Sequence, residues 1–316
     1  MLTLLGDVGG TNARFALYDG DTLGAVKSRA VGDFAAPLEA IQDVLAELGG
    51  APPQAATIAV AGPVEAGRAT LTNGRWAFVA AELKAALGLT SVDLVNDFAA
   101  QASAVPALTA EDLMGIGGGR AAPEAPVAVI GPGTGLGVAG LIRSAEGPVV
   151  LVTEGGHVTL APADAEESRL LDQLRTSFGH VSAERVLSGP GLVNLYRAIA
   201  TLEGGEVPER SPEEITQLGL SGECPTSRRA LDTFCAMLGT VAGNLALSFG
   251  AKGGVYIAGG IVPRILDRIT QSSFRARFEA KGRFAGYLAA IPTSVVIHPY
   301  PALVGLTRLV DVRARE

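Results

Sequence analysis

Short apolar runs that stop abruptly at glycine recur along this chain. Leu2 to Leu5 is the first, and Arg14 to Tyr18 is a β-friendly stretch after it. Leu38 to Leu48 has helical spacing, with Leu38, Ile41, Leu45 and Leu48 on one face, and Ala51-Pro52-Pro53 breaks it. Ala56 to Ala61 is uniformly apolar, stops at Gly62-Pro63 and reads as a buried strand. Trp76 to Phe78 fits a short strand or a loop, and Ala80 to Leu87 a helix ended by Gly88. A strand from Asp93 runs into Asn96-Asp97, and an alanine-rich helix follows to Val105, where Pro106 stops it.

The second half repeats the opening. Val127 to Ile130 enters Gly131-Pro132-Gly133-Thr134-Gly135-Leu136-Gly137, and Val138 to Ile142 returns as a strand. Two strand–glycine turn–strand hairpins, each with a threonine in its turn, predict two related halves facing one ligand. Val149 to Thr153 is a strand leading into Glu154-Gly155-Gly156-His157. Ser168 to Leu174, Ala183 to Leu187 and Leu192 to Leu202 have helical spacing, and Glu203 to Gly222 reads as a polar surface excursion. Arg228 to Phe249 is a helix too apolar all round for a surface, placed in the middle of a domain or at a subunit contact. Val255 to Ala258 is a strand that breaks at Gly259-Gly260, with Pro263 placed to start a helix. Ser294 to Ile297 is a last strand and Ala302 to Val310 a last helix. The alternation of strands and helices is that of an α/β fold.

Composition narrows the class. A length of 316 residues allows two domains. A net charge of -7 argues against nucleic acid, which needs a basic stripe. Two cysteines, Cys224 and Cys235, neither staple a chain this long nor match a zinc pattern, so reduced thiols are expected. Gly, Arg or Asp interrupts every apolar stretch before membrane-spanning length, so no membrane segment is expected. The chain enters its first strand without a charged head or cleavable apolar segment, which sets the expectation of a cytoplasmic protein.

Several residues could carry chemistry. Glycines let backbone amides approach an anion, and Thr11 and Asn12 add side-chain donors. An aspartate beside a phosphate needs a cation between them, so Asp7 reads as a partner of hydrated Mg²⁺; a capped hairpin is the other reading. The second loop lacks the Rossmann fingerprint and is followed by a strand, and the chain contains no G-x-x-x-x-G-K-[ST] P-loop. Asn96-Asp97 ends a strand, where α/β sheets bind ligands, but both residue types also cap helices. In the first case Asp97 takes a hydroxyl proton while Asn96 orients a sugar. Glu154 and His157, turned together by two glycines, suit the hydroxyls of a polyol better than zinc. Gly259-Gly260 leaves a side-chain-free surface for an adenine or ribose, or simply a turn into a helix. His180 and His298 read as structural, and Glu184 as a helix-dipole partner or an exposed residue.

In this order and spacing, certain segments resemble the bacterial glucokinases of the hexokinase and actin-like ATPase superfamily over nearly the whole chain. They are Gly6 to Arg14, Asn96-Asp97-Phe98, Gly133 to Gly137, Glu154 to His157, Ser182 to Leu195 and Ile257 to Pro263. The resemblance implies a two-domain actin-like ATPase (ribonuclease H-like) fold with an interdomain cleft. Residues 1–107 plus 298–316 would form the small domain and 108–297 the large one. It implies that Gly6, Asp7, Val8, Gly9, Gly10, Thr11 and Asn12 bind the nucleotide, together with Gly133, Thr134, Gly135, Gly259 and Gly260. It further implies that Asn96, Asp97, Glu154, His157 and Glu184 contact glucose, with Asp97 as the base. The expected reaction is γ-phosphoryl transfer from MgATP to the 6-hydroxyl of D-glucose, the first step of glycolysis. The apolar helix and the likeness together suggest a homodimer. Kinases for another hexose or donor, sugar-sensing regulators and actin-like assembly or chaperone ATPases are the alternatives. Sugar kinases with a cysteine-rich zinc motif do not fit, because Cys224 and Cys235 cannot supply it. Pro132, which removes an amide from the second loop, and Thr159, where an acidic residue is expected, depart from the pattern.

Overall fold

A computed structural model describes residues 1–144 and 147–313. Positions 145–146 and 314–316 of the expected domains lie outside the described residues. The chain divides into two compact units, Met1–Thr109 with the segment from His298 onward, and Ala110–Ile297.

The first unit contains β1 (Thr3–Val8), β2 (Asn12–Tyr18), β3 (Lys27–Ala30), α1 (Pro37–Leu48) and β4 (Ala55–Val60). A small sheet follows, made of β5 (Val64–Glu65), β6 (Arg68–Thr70) and β7 (Ala77–Val79), and then α2 (Ala80–Leu87), β8 (Ser91–Asn96) and α3 (Asp97–Ala104). The main sheet has the order β3-β2-β1-β4-β8, with β1 antiparallel to β2 and parallel to β4. β1 runs three residues beyond the expected Leu5, because Gly6, Asp7 and Val8 pair with Phe15, Arg14 and Ala13. Pairing on both sides overrides the poor strand propensity of Gly and Asp. Gly6 is therefore a packing position, since a Cβ there would lie 3.0 Å from the Phe15 ring. The buried stripe of α1 is Pro37, Ala40, Ile41 and Val44; Leu38, Leu45 and Leu48 flank it, partly buried against the same core.

The C-terminal helix Pro301–Arg313 packs on this unit through Ala302, Leu303 and Leu306. The Tyr18 hydroxyl donates to Asp311 Oδ1 at 2.9 Å. Burial and the Asp311 carboxylate push the Tyr18 phenol up to about 12. An unfolded tyrosine titrates near 10. The contribution of this contact is therefore complete below about pH 10 and is lost as pH rises to about 12. Tyr18→Phe is expected to cost about 0.5–1.5 kcal/mol in denaturant unfolding at neutral pH. The gap to wild type should close through that alkaline window; a constant gap would remove the hydrogen bond as its cause.

The second unit contains β9 (Leu113–Gly117), β10 (Val127–Pro132), β11 (Leu136–Ser144), β12 (Gly147–Thr153), α4 (Ala165–Arg175), α5 (Gly189–Leu202), α6 (Pro212–Ser221) and α7 (Pro225–Phe249). β13 (Val255–Ile257) and β14 (Thr293–Val296) complete its sheet, in the order β12-β11-β10-β13-β14-β9. Its first five strands repeat the pairing of the other unit. The hairpin partner and its outer neighbour are antiparallel, and the next two strands are parallel. Both hairpins are followed by the same sheet layout, so the repeat in sequence is a repeat in topology.

Three expectations change here. Ala183 to Leu187 is a turn, not a helix: Ser188 caps α5 by accepting from the Gly191 amide, and Pro190 lies in the first helical turn. The polar stretch Glu203 to Gly222 contains α6, opened by a capping box of Ser211 and Glu214. α7 is long and apolar enough to cross a membrane, contrary to the expectation that no segment is, but 67% of its most apolar window is buried. It runs through the core of its unit, where Phe234, Cys235, Leu238 and Ala242 are fully enclosed. Its apolar surface thus packs within the chain and gives no ground for a subunit contact.

Candidate active site

The turn between β1 and β2 is Gly9-Gly10-Thr11. The Gly9 amide closes it by donating to Asn12 O at 3.0 Å, so the amides the turn can present to a ligand are those of Gly10 and Thr11. A Cβ on Gly10 would lie 2.7 Å from Asn73 O. Asn73 thereby stands against this turn, a neighbour that sequence reading missed; Asn73-Gly74 signals a turn there but not where it packs. Thr11 and Asn12 are exposed and Val8 is buried.

Asp7 is the penultimate residue of β1, close to this turn, and partly buried, with Arg14 Nη1 donating to its Oδ2 at 3.4 Å. Burial raises the Asp7 carboxyl above its ordinary value, and Arg14 offsets that only in part. A carboxylate short of positive charge, next to exposed donors, fits a hydrated Mg²⁺ brought by phosphates. Among the described residues no group of three or more His, Cys, Asp or Glu side chains is placed to hold a metal ion.

The second turn, Gly133-Thr134-Gly135, also closes through its first amide, but over a shorter span. The Gly133 amide donates to Gly135 O at 2.8 Å, leaving Thr134 and Gly135 as the amides it can present. Gly133 O accepts from the Gly189 amide at 2.8 Å, which sets the N-terminus of α5 beside this turn. A helix N-terminus favours anions, and neither periodicity nor composition located it there. Pro132 is buried at the end of β10, and its carbonyl accepts from the Ile261 amide at 3.3 Å. Gly259 has φ +79, and a Cβ on it would lie 2.4 Å from Pro132 O. Gly259 is therefore pressed against Pro132, the residue that leads into the second turn. At Gly133 and Gly260 neither positive φ nor neighbours require glycine, because a Cβ would meet nothing within 4 Å. Such glycines leave room for something outside the fold.

Asn96 and Asp97 divide their work. Asn96 is the N-cap of α3: its Oδ1 accepts from the Phe98 amide at 3.0 Å and the Ala99 amide at 3.1 Å. Its Nδ2 donates to Gly62 O at 3.2 Å. One amide hydrogen is left for a ligand. Asp97, the first residue of α3, is half-buried and is not the cap.

Glu154, His157 and Glu184 come together in the second unit. Gly155–His157 forms a single helical turn after β12, and His157 Nε2 lies 3.9 Å from Glu154 Oε2, both side chains being exposed. A Cβ on Gly156 would lie 1.9 Å from Leu136 O, so only glycine permits this turn. Gly156 O accepts from the Glu184 amide at 2.9 Å, and Glu184 Oε2 accepts from the Leu136 amide at 2.8 Å. Glu184 thus sits on a turn, beside the Glu154–His157 turn and at the start of β11, rather than in a helix. Thr159 bridges to Ser182 through the backbone, and its hydroxyl pairs with His180 Nε2 at 2.9 Å. His298 Nδ1 accepts from the Tyr300 amide, a structural contact.

The repeated sheet is that of the actin-like ATPase fold, and the family match and relatives make the chain an ATP-dependent sugar kinase. The Glucokinase family profile matches residues 4–312. The glucokinase of Paramagnetospirillum magneticum is 54% identical over 313 residues, which cover 98% of this chain and 97% of that one. The crystal structure of glucokinase from an Antarctic psychrotroph is 38% identical, with a TM-score of 0.85 and 98% of each chain covered. A ROK-family glucokinase from Streptomyces griseus, solved with glucose and AMPPNP, shares the fold at 21% identity and a TM-score of 0.68, over 98% of this chain and 99% of that one. The chain belongs to the glucokinase family.

Proposed function

We propose that this protein transfers the γ-phosphoryl group of MgATP to the 6-hydroxyl of D-glucose, with Asp97 as general base. The observation that carries the assignment is the division of labour at the head of α3. Asn96 accepts from the Phe98 and Ala99 amides, and Asp97 follows it as the first helical residue, at the carboxyl end of β8 where α/β sheets bind ligands. Asp97 takes the 6-hydroxyl proton as the oxygen attacks phosphorus. The remaining Asn96 N–H, Glu154, His157 and Glu184 hold the other hydroxyls; a hexose of the wrong shape leaves one of these groups unpaired, at about 1–3 kcal/mol. The Gly10, Thr11, Thr134 and Gly135 amides bind the phosphates, and the bare surface at Gly259-Gly260 takes the adenosine. Mg²⁺ near Asp7 would neutralise phosphate charge, on which such transfers depend. Glucose and AMPPNP in the Streptomyces griseus structure support this choice of substrates.

The same reading makes the protein a cytoplasmic enzyme of the first step of glycolysis. A homodimer rests on family likeness alone, since α7 is internal. ADP release should be measured with glucose, fructose, mannose, N-acetylglucosamine and no sugar. Rapid release is expected with glucose only. Equal release without sugar, or a preference for another hexose, would overturn the assignment.

A further inference from the structure

We propose that Asn73 is a further catalytic residue, whose side-chain amide donates to the transferred phosphoryl group beside the first glycine turn, a role that rests on the kinase reading proposed above. Asn73 lies in the first unit, on the loop that joins β6 to β7. It is exposed, yet the loop that carries it is held on several sides. The Leu71 amide donates to Trp76 O at 3.1 Å and closes the loop at its base. Trp76 is buried, and its Nε1 donates to Phe34 O at 3.1 Å. The Thr72 amide donates to Ala61 O at 3.0 Å. The remaining contact is with the glycine turn: a Cβ on Gly10 would lie 2.7 Å from Asn73 O and 3.4 Å from Asn73 Cβ. Gly10 does not have a positive φ, so close approach, and not backbone conformation, is what requires glycine there. The turn thus keeps a residue without a side chain where Asn73 stands against it.

The position suits a hydrogen-bond donor to phosphate. The turn presents the amides of Gly10 and Thr11, since the Gly9 amide is engaged by Asn12 O. The Asn73 side chain starts beside that pair, and among the described residues its carboxamide makes no hydrogen bond within the chain. An uncommitted N–H on a held loop needs no reorganisation when charge develops next to it. The segment that anchors the loop also reaches the base. Ala61 O takes the Thr72 amide, and the next residue, Gly62, accepts at its carbonyl from Asn96 Nδ2 at 3.2 Å. A Cβ on Gly62 would lie 2.2 Å from Thr70 O and 3.3 Å from Thr72 Oγ1, so this segment and the foot of the loop are in backbone contact. Asn96 precedes Asp97, and the oxygen that Asp97 activates must meet the γ-phosphorus. Asn73 therefore belongs to the γ end of the phosphate chain. As the bond from the 6-oxygen to phosphorus forms and the bond to the ADP oxygen breaks, the Asn73 N–H holds an equatorial phosphoryl oxygen and exchanges no proton.

Calorimetric titration of the full chain with MgADP and with Mg²⁺ and AMPPNP, beside glucose-dependent ADP release and thermal melts, provides the test. The Asn73 backbone lies outside the left-handed region and its side chain is exposed, so Asn73→Ala should melt as wild type does. Its kcat should fall about 10²-fold with the KM for glucose unchanged. Affinity for AMPPNP should fall at least about tenfold, while that for ADP, which has no γ-phosphate, should hold. Asn73→Asp keeps the volume, replaces the donor with a like charge and should lose more; it also keeps the role testable if the alanine variant fails to fold. A loop that served structure alone would lower the melting temperature and weaken both nucleotides alike, and that result would overturn the proposal. So would a kcat within about threefold of wild type in a folded variant. A wild-type protein that releases no ADP with glucose would instead overturn the kinase reading itself.

Discussion

Asp97→Asn is expected to keep the fold and the affinity for glucose while kcat falls by about 10²–10⁴. The reacting hydroxyl is a poor nucleophile until its proton is taken, and an amide at the same place cannot take it. Asparagine fits the volume of aspartate and retains a carbonyl oxygen, so sugar binding should survive. The neighbour makes the comparison sharp. Asn96→Ala removes the acceptor for the Phe98 and Ala99 amides, a cap worth about 0.5–2 kcal/mol. That variant should therefore melt earlier, whereas Asp97→Asn should not. Single-turnover ADP formation, glucose titration by calorimetry and thermal melts on both variants separate the roles. Turnover of Asp97→Asn within tenfold of wild type would end the base assignment.

Gly305→Val is expected to damage the first unit and activity together, although residue 305 belongs to no proposed substrate contact. A Cβ at Gly305 would lie 1.7 Å from Ala100 O and 3.0 Å from the Ala104 amide nitrogen. The C-terminal helix and α3 are therefore in backbone contact. Overpacking usually costs about 1–3 kcal/mol, and more where the obstructing atoms cannot rotate away. Backbone cannot, so the helices must separate. α3 begins with Asp97, and a misplacement of about 1 Å at a reacting group can cost 10²-fold in rate. A lower melting temperature and a reduced kcat, measured while the variant is still folded, are expected. Unchanged values of both would show that the helices do not need this approach.

Much of the architecture lies in local pattern. The apolar runs at Ala56, Val127 and Val255 became β4, β10 and β13, as their shortness and their flanking glycines favour a strand covered on both faces over a helix. The repeated hairpins were legible because each confines its signal to a few adjacent residues. Ala183 to Leu187 misled because apolar spacing does not distinguish a buried turn from a helix; Ser188 and Pro190 carried the correct start. The capping box of α6 was readable at Ser211 and Glu214, but polar composition hid it.

The sequence by itself thus determined the central strands of both sheets, the two glycine turns and the Glu154–His157 turn, all set by neighbours along the chain. Tertiary structure decided which of Asn96 and Asp97 caps the helix, through Gly62; it brought Glu184 to Leu136 and Gly156, Gly259 to Pro132, and the head of α5 to the second turn. It also turned α7 inward. These outcomes depend on close approach between atoms far apart in the chain, and a linear pattern records which residues could approach but not which ones do.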